Sequence, residues 1–364
     1  MTLDAEIRPA TSDEASEQPR RRNWFLIALV SVLVAGAALI ALTVLVHHTA
    51  WYHNRQVTQY LKAHGIVTTP VATIPGSIDH LTMDADGSLY ALSVAARTIT
   101  VVHPNQTQSV IHIPVVKGYV DGLAGGTTYG IANDAFATTP NGTSYVIDAF
   151  RSVIMRVSPN GSIDTSWMQF PQSFGCCDLY SDARGNLYAV GNRSITRITS
   201  RGVVTPNWAN LASWHLSSGW KVTVGPTGVI YVAGANSYTP SGATDVFQVQ
   251  PGRSPQGFGT YYGGPAASLA EPPTFILTQD ALGVDGAGTF WAAAFGGVLR
   301  MHGHGHVASW WLTNSDAHAV GSNTTLLVAG RYGYAAAPHF LHFVGAQSKP
   351  ESTTILRFAL PTGK

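Results

Sequence analysis

The sequence predicts an all-β fold, a six-bladed β-propeller, carried behind a single N-terminal transmembrane α-helix. Three observations lead there. Charged residues make up only 11% of a chain that holds 37 glycines and 20 prolines. That is the composition of a turn-rich β protein, not of a helical or disordered one. One stretch near the N-terminus is apolar from end to end. The remainder repeats a turn followed by a strand-like run, at a period close to that of propeller blades. The formal net charge of +1 excludes nucleic-acid binding driven by bulk charge.

Residues 1–23 are polar and contain no aromatic side chain. They read as a disordered cytoplasmic tail. Residues 24–46, WFLIALVSVLVAGAALIALTVLV, carry no charge. As a helix this run would extend about 35 Å, enough to cross a hydrocarbon core with some tilt. Arg20, Arg21 and Arg22 precede it, Trp24 marks one edge, and Trp51 and Tyr52 lie beyond the other. A basic flank with aromatic belts places the N-terminus in the cytoplasm. A cleaved signal peptide fits less well, because the apolar region is too long and HHTAW is a poor small-residue cleavage site. The lipid bilayer is therefore an expected partner through residues 24–46, in a single-pass cell-membrane protein whose propeller is extracytoplasmic. Residues 47–65 are a juxtamembrane linker, with a short helix over 53–64 ended by Gly65.

The propeller is expected over residues 66–364. Its units are DADGSLYALS (84–93), TPNGTSYVID (139–148), DARGNLYAVG (182–191), GPTGVIYVAG (225–234), DGAGTFWAAA (285–294) and GSNTTLLVAG (321–330). Their anchors are Tyr90, Tyr145, Tyr188, Tyr231, Trp291 and Leu327. Each unit continues into a further strand-like run, such as TITVVHP, VIMRVSP or SITRITS. Six units of about four strands predict six blades in one ring. The sixth unit ends one strand short at ILRFALP (355–361), while a spare strand, IVTTPVATI (66–74), precedes the first. The spare strand is expected to complete the last blade and so hide a sheet edge.

Two units, SYVIDAFRSVIMRVSPNGS (144–162) and NLYAVGNRSITRITSRG (186–202), resemble the NHL repeat. The resemblance implies the six-bladed propeller shared by NHL and SMP-30-like proteins. It implies no single function, because that fold hosts sensors, scaffolds, lactonases and lyases.

Eleven residues before each anchor stand Asp79, Asp134, Cys177, Trp220, Asp280 and Asp316. Read as the start of each innermost strand, these positions ring one mouth of the central channel. Clustered carboxylates repel one another and favour a cation, and oxygen ligands suit Ca²⁺ or Mg²⁺. The competing reading is local: an Asp at the start of a strand accepts backbone amides in an Asx turn. Cys176 and Cys177 are the only cysteines and are adjacent. Their Cα atoms lie about 3.8 Å apart, below the usual disulfide range, so a bond between them closes a small strained ring. They are read as a vicinal disulfide at the lip of the mouth, against two ordinary buried thiols. His302, His304 and His306 alternate as metal ligands on a strand face would. Aligned with RVSPNGSIDT and RITSRGVVTP, however, they flank an exposed turn between outer strands.

No nucleophile elbow, zinc-protease helix, P-loop or dinucleotide fingerprint is present. Glycosylation sequons occur at Asn105, Asn141, Asn160, Asn192 and Asn323. The leading expectation for function is a membrane-tethered propeller that binds a small-molecule ligand or a protein, as a sensor or scaffold. The alternative is a metal-dependent hydrolase or lyase of the SMP-30/lactonase type, motivated by the Asp column.

Overall fold

Glycine-marked turns and apolar runs become strands that pair antiparallel in the computed structural model. It describes residues 18–47, 67–114, 135–148, 153–169, 178–191, 194–211, 216–225, 227–236, 243–250, 256–262, 282–294, 297–302, 306–313, 326–339 and 352–360. Strand β1 (Thr68–Pro75) comes first. The first full sheet is β2 (His80–Met83), β3 (Leu89–Ser93), β4 (Thr98–Val102) and β5 (Gln108–His112). The second is β6 (Phe136–Thr138), β7 (Ser144–Asp148), β8 (Val153–Val157) and β9 (Ile163–Gln169). The third is β10 (Asp178–Ser181), β11 (Leu187–Val190), β12 (Ser194–Ile198) and β13 (Val204–Asn210). The fourth is β14 (Leu216–Val224), β15 (Ile230–Asn236), β16 (Ala243–Val249) and β17 (Gln256–Tyr262). The fifth is β18 (Leu282–Val284), β19 (Phe290–Ala294), β20 (Gly297–His302) and β21 (His306–Thr313). The last is β22 (Leu326–Ala329), β23 (Tyr332–His339) and β24 (Ser352–Ala359), with β1 paired to β24 as its outermost strand.

The innermost strands β2, β6, β10, β14, β18 and β22 each lie against the next, and β22 lies against β2. Among the described residues the four-stranded sheets therefore close into a ring, which is a β-propeller. The packing explains why the repeats read as near-continuous apolar runs. A second strand such as β3 or β11 is buried at every position, because a sheet covers each of its faces. Tyr90, Leu92, Ile99 and Val101 of the first sheet meet Phe136, Val146, Met155 and Val157 of the second. On its other side the second sheet presents Tyr145, Ile147 and Ile154 to Leu179, Leu187 and Ile198 of the third. Outer strands such as β5 and β13 are mostly exposed, and their sequences are correspondingly polar.

The sixth anchor needs correction. Leu327 lies on β22, the innermost strand of its sheet, and pairs with Tyr334 of β23. Tyr334 in turn pairs with Arg357, as Tyr188 pairs with Arg197. The equivalent of Tyr188 in the last sheet is therefore Tyr334, and counting eleven residues back from it reaches Asn323, not Asp316. The run LLVA reads equally well as a first or a second strand because both are buried. The short turn at Gly330 (φ +59°) and Arg331 lacks the longer glycine loop that marks the other units.

Helix α1 (Gln18–His47) contains the apolar stretch 24–46. Its described side chains are those of Trp24 and residues 26–42, and all of them are exposed. Among the described residues no helix is long and apolar enough to cross a membrane.

Candidate functional site

In an antiparallel meander the first and third turns of every sheet share one face of the ring, and the starts of the innermost strands share the other. The described residues hold a repeated carboxylate on the first-turn face, six residues before the aromatic anchor. Asp84 Oδ1 accepts the backbone N–H groups of Asp86 and Ser88 at 3.0 and 2.9 Å, and Oδ2 accepts the Tyr90 hydroxyl at 3.0 Å. Asp182 Oδ1 accepts the N–H groups of Arg184 and Asn186 at 2.9 and 2.8 Å. Its Oδ2 accepts Asn186 Nδ2 at 2.7 Å and the Tyr188 hydroxyl at 3.1 Å. Asp285 repeats the pattern with the N–H groups of Ala287 and Thr289, both at 2.9 Å, and Trp291 Nε1 at 3.0 Å. Each carboxylate thus closes an Asx turn and fixes the aromatic ring of the following strand. The signal is legible in DADGSLY, DARGNLY and DGAGTFW, where the acid precedes the anchor at constant spacing.

Of that other column, only Asp79 has a described side chain. Its Oδ2 accepts the Val94 N–H at 2.6 Å, tying the start of β2 to the end of β3. This is the local, backbone-holding role. Asp134, Cys176, Cys177, Asp280, Asp316 and His304 lie outside the described residues. Trp220 lies on β14, and His302 and His306 pair across the ends of β20 and β21. The side chains of these three are outside the described residues. Asp178, one residue after Cys177, opens β10. Its Oδ1 accepts the Leu179 N–H at 2.9 Å and its Oδ2 accepts Val222 N–H at 2.8 Å, joining β10 to β14. Among the described residues no three His, Cys, Asp or Glu side chains are grouped to hold a metal ion. Asp79 is the one position of the predicted mouth whose side chain is described, and its Oδ2 is engaged by the backbone.

The described residues build a concavity on the first-turn face. A groove of about 820 Å³ runs over the turns of the third, fourth and fifth sheets, with Gly330 at its far end. That volume suits a small organic molecule. Tyr180, Tyr188 and Trp208 supply flat apolar walls, Val224 and Val284 aliphatic ones, and Arg184 and Arg197 the cations. Tyr188 and Trp208 meet edge to face, their centroids 5.4 Å apart. Burial, reinforced by the charge and hydrogen bond of Asp182, pushes the Tyr188 hydroxyl up to about 12. Burial also raises Tyr180, partly offset by hydrogen bonds with Thr223 and Val224. Both phenols are therefore neutral donors at physiological pH.

No known protein-family model matches the chain, and no curated protein sequence does. Solved structures do resemble it. A gluconolactonase from Xanthomonas campestris is 12% identical, with 81% of this chain and 90% of that one covered and a TM-score of 0.53. A calcium-binding protein, regucalcin, from Agrobacterium tumefaciens is 13% identical, over 81% and 96% of the two chains, with a TM-score of 0.51. A luciferin-regenerating enzyme is 12% identical over 81% and 95%, also at 0.51. At these identities the likeness shows the fold alone: the chain is a β-propeller.

Proposed function

We propose that this chain is a membrane-tethered, six-bladed propeller that acts on a small organic molecule as a hydrolase or lyase of the lactonase-like kind. The observation that carries the reading is the shared fold with a gluconolactonase, regucalcin and a luciferin-regenerating enzyme. A groove of small-molecule size supports it. The closed ring of innermost strands supports six blades. The tether is supported by α1, whose described apolar side chains face outward from Trp24 to Leu42. The one polar side chain among them, Ser31, donates its hydroxyl to the Ile27 carbonyl at 2.8 Å, as a hydroxyl in hydrocarbon must.

The test is turnover by the full-length chain in detergent, using a panel of aldonolactones with Ca²⁺, Mg²⁺ or chelator. Hydrolysis that Asp134→Asn and Asp280→Asn reduce would support the enzyme and a metal at the mouth. Absence of turnover on every lactone, with no shift of the melting midpoint by either cation, would return the chain to a ligand-binding sensor or scaffold. Topology is tested separately: protease added to intact cells should cut the propeller and spare an N-terminal tag. The cysteine pair is tested by mass. A peptide containing Cys176 and Cys177 that gains two hydrogens on reduction supports the vicinal bond; free alkylation without reductant refutes it.

A further inference from the structure

Two neighbouring blades differ at one position, and the difference leaves a cation without its partner. In the second sheet Arg156 pairs across the ladder with Asp164, and its guanidinium lies 3.7 Å from the Asp164 carboxylate. The same guanidinium stacks 5.8 Å from the centroid of Trp167. The third sheet repeats this frame residue for residue. Arg197 follows Tyr188 as Arg156 follows Tyr145, and Trp208 packs on Tyr188 as Trp167 packs on Tyr145. Both third-to-fourth strand ladders carry an irregularity just before the arginine. Opposite Arg197, however, stands Thr205. A threonine cannot neutralise a guanidinium. Arg197 Nε is buried and has no hydrogen-bond partner among the described residues.

That arginine lines the groove, with Arg184 exposed beside it and the faces of Tyr180, Tyr188 and Trp208 around it. The groove also holds two carboxylates, Asp182 and Asp285, which must be weighed against an anion. Both are aimed into their own turns and accept four and three hydrogen bonds respectively. Asp182 thus has its acceptor sites filled and Asp285 most of them, while Arg197 Nε has no partner among the described residues.

We propose that Arg197, in the groove beside Trp208 and Tyr188, binds the anionic group of a small organic acid, with the apolar body of the acid against the aromatic walls. The recognised chemistry is a carboxylate or phosphate ester on a flat apolar body; a planar guanidinium pairs with either through two parallel hydrogen bonds. The missing partner distinguishes this blade from the second, where Arg156 in the same frame already has a carboxylate. The site lies on the face opposite the Asp79 mouth and does not depend on whether the bound molecule is hydrolysed.

The experiment is calorimetric titration of the full-length chain in detergent with benzoate, phenyl phosphate and the neutral benzamide. Benzoate or phenyl phosphate should bind, and the stronger of the two identifies the anionic group; benzamide should bind at least roughly tenfold more weakly. Arg197→Gln should weaken anion binding by a similar factor. Thr205→Asp is the decisive variant. It supplies the carboxylate that the second sheet has at this position, on an exposed strand where folding is not at risk. It should abolish anion binding and leave the melting midpoint unchanged or higher. Failure of both anions to bind the unaltered chain, equal binding of benzamide, or full binding by Thr205→Asp would overturn the proposal.

Discussion

A single carboxylate on this fold does the work of a turn. Asp182 satisfies two backbone amides, an asparagine and a phenol, and Asn186 and Tyr188 among these are buried. Replacing it by alanine strands those donors. Asp182→Ala should therefore lower the unfolding free energy by about 2–4 kcal/mol, read as a fall in denaturant midpoint at unchanged slope. The phenol it holds gives a second expectation. Tyr188 has a folded pKa of about 12 against the ordinary value of 10.0, chiefly through burial. Below pH 10 the folded and unfolded chains both keep this proton, and the stabilisation is complete. Between pH 10 and 12 the unfolded chain releases it first, so stability falls as pH rises through that window. Tyr188→Phe should flatten the decline in melting midpoint between pH 10 and 12; an unchanged slope would mean that Tyr188 does not contribute to it. At this scale the sequence was half legible. Aromatic anchors stood out because turns precede them. The acid six residues earlier was overlooked because the turn glycine alone accounted for the turn.

Whole strands and turns depend on close approach between blades. Gly142, with φ +80°, turns the chain between β6 and β7. A Cβ there would lie 2.7 Å from the Tyr90 hydroxyl and 3.5 Å from Asp84 Oδ2 of the preceding sheet. The Ala85 N–H donates to the Pro140 carbonyl beside it at 3.0 Å. Gly142→Ala should thus combine a strained backbone with a clash on a hydroxyl that is already committed, at a cost of roughly 1–3 kcal/mol. A glycine without that neighbour, Gly202 at φ +80°, meets nothing within 4 Å. Gly202→Ala should show the backbone part alone, and the difference between the two measures the contact. The bond from Val222 to Asp178 joins innermost strands in the same way. Turn positions and strand order were readable from the sequence because glycine and apolar period report local geometry. The groove was not, since it depends on which face a turn occupies and on what its neighbour brings. The exchange of Asp164 for Thr205 becomes visible only once blades are aligned by ladder register.

Closure decides whether these blades hold as one body. A ring of sheets exposes two edges until its ends meet, and here β1 meets β24 over Thr68–Phe358 to Pro75–Ser352. Thr73 and Thr354 share a hydroxyl contact of 3.0 Å, and the Thr353 hydroxyl donates to the Gly76 carbonyl at 2.7 Å. Ile74 packs with Leu81 and Leu89 of the first sheet and with Ala336 and Ile355 of the last, so the strand joins both sides of the seam. Ile74 is 2% exposed, and Ile74→Ala should cost about 2–5 kcal/mol by cavity formation at that junction. Two truncations separate the role of the seam from that of the segment before it. Removing residues 1–65 leaves β1 whole and should preserve one cooperative thermal transition of the propeller. Removing residues 1–75 takes β1 away, leaves the outer edge of β24 unpaired, and uncovers the core that Ile74 seals. That chain should lose the cooperative transition or associate through its open edge, read by calorimetry together with light scattering. If both truncations melted alike, the ring would be held by its inner strands alone, and the pairing of first strand with last would be an accessory to the fold and not its clasp.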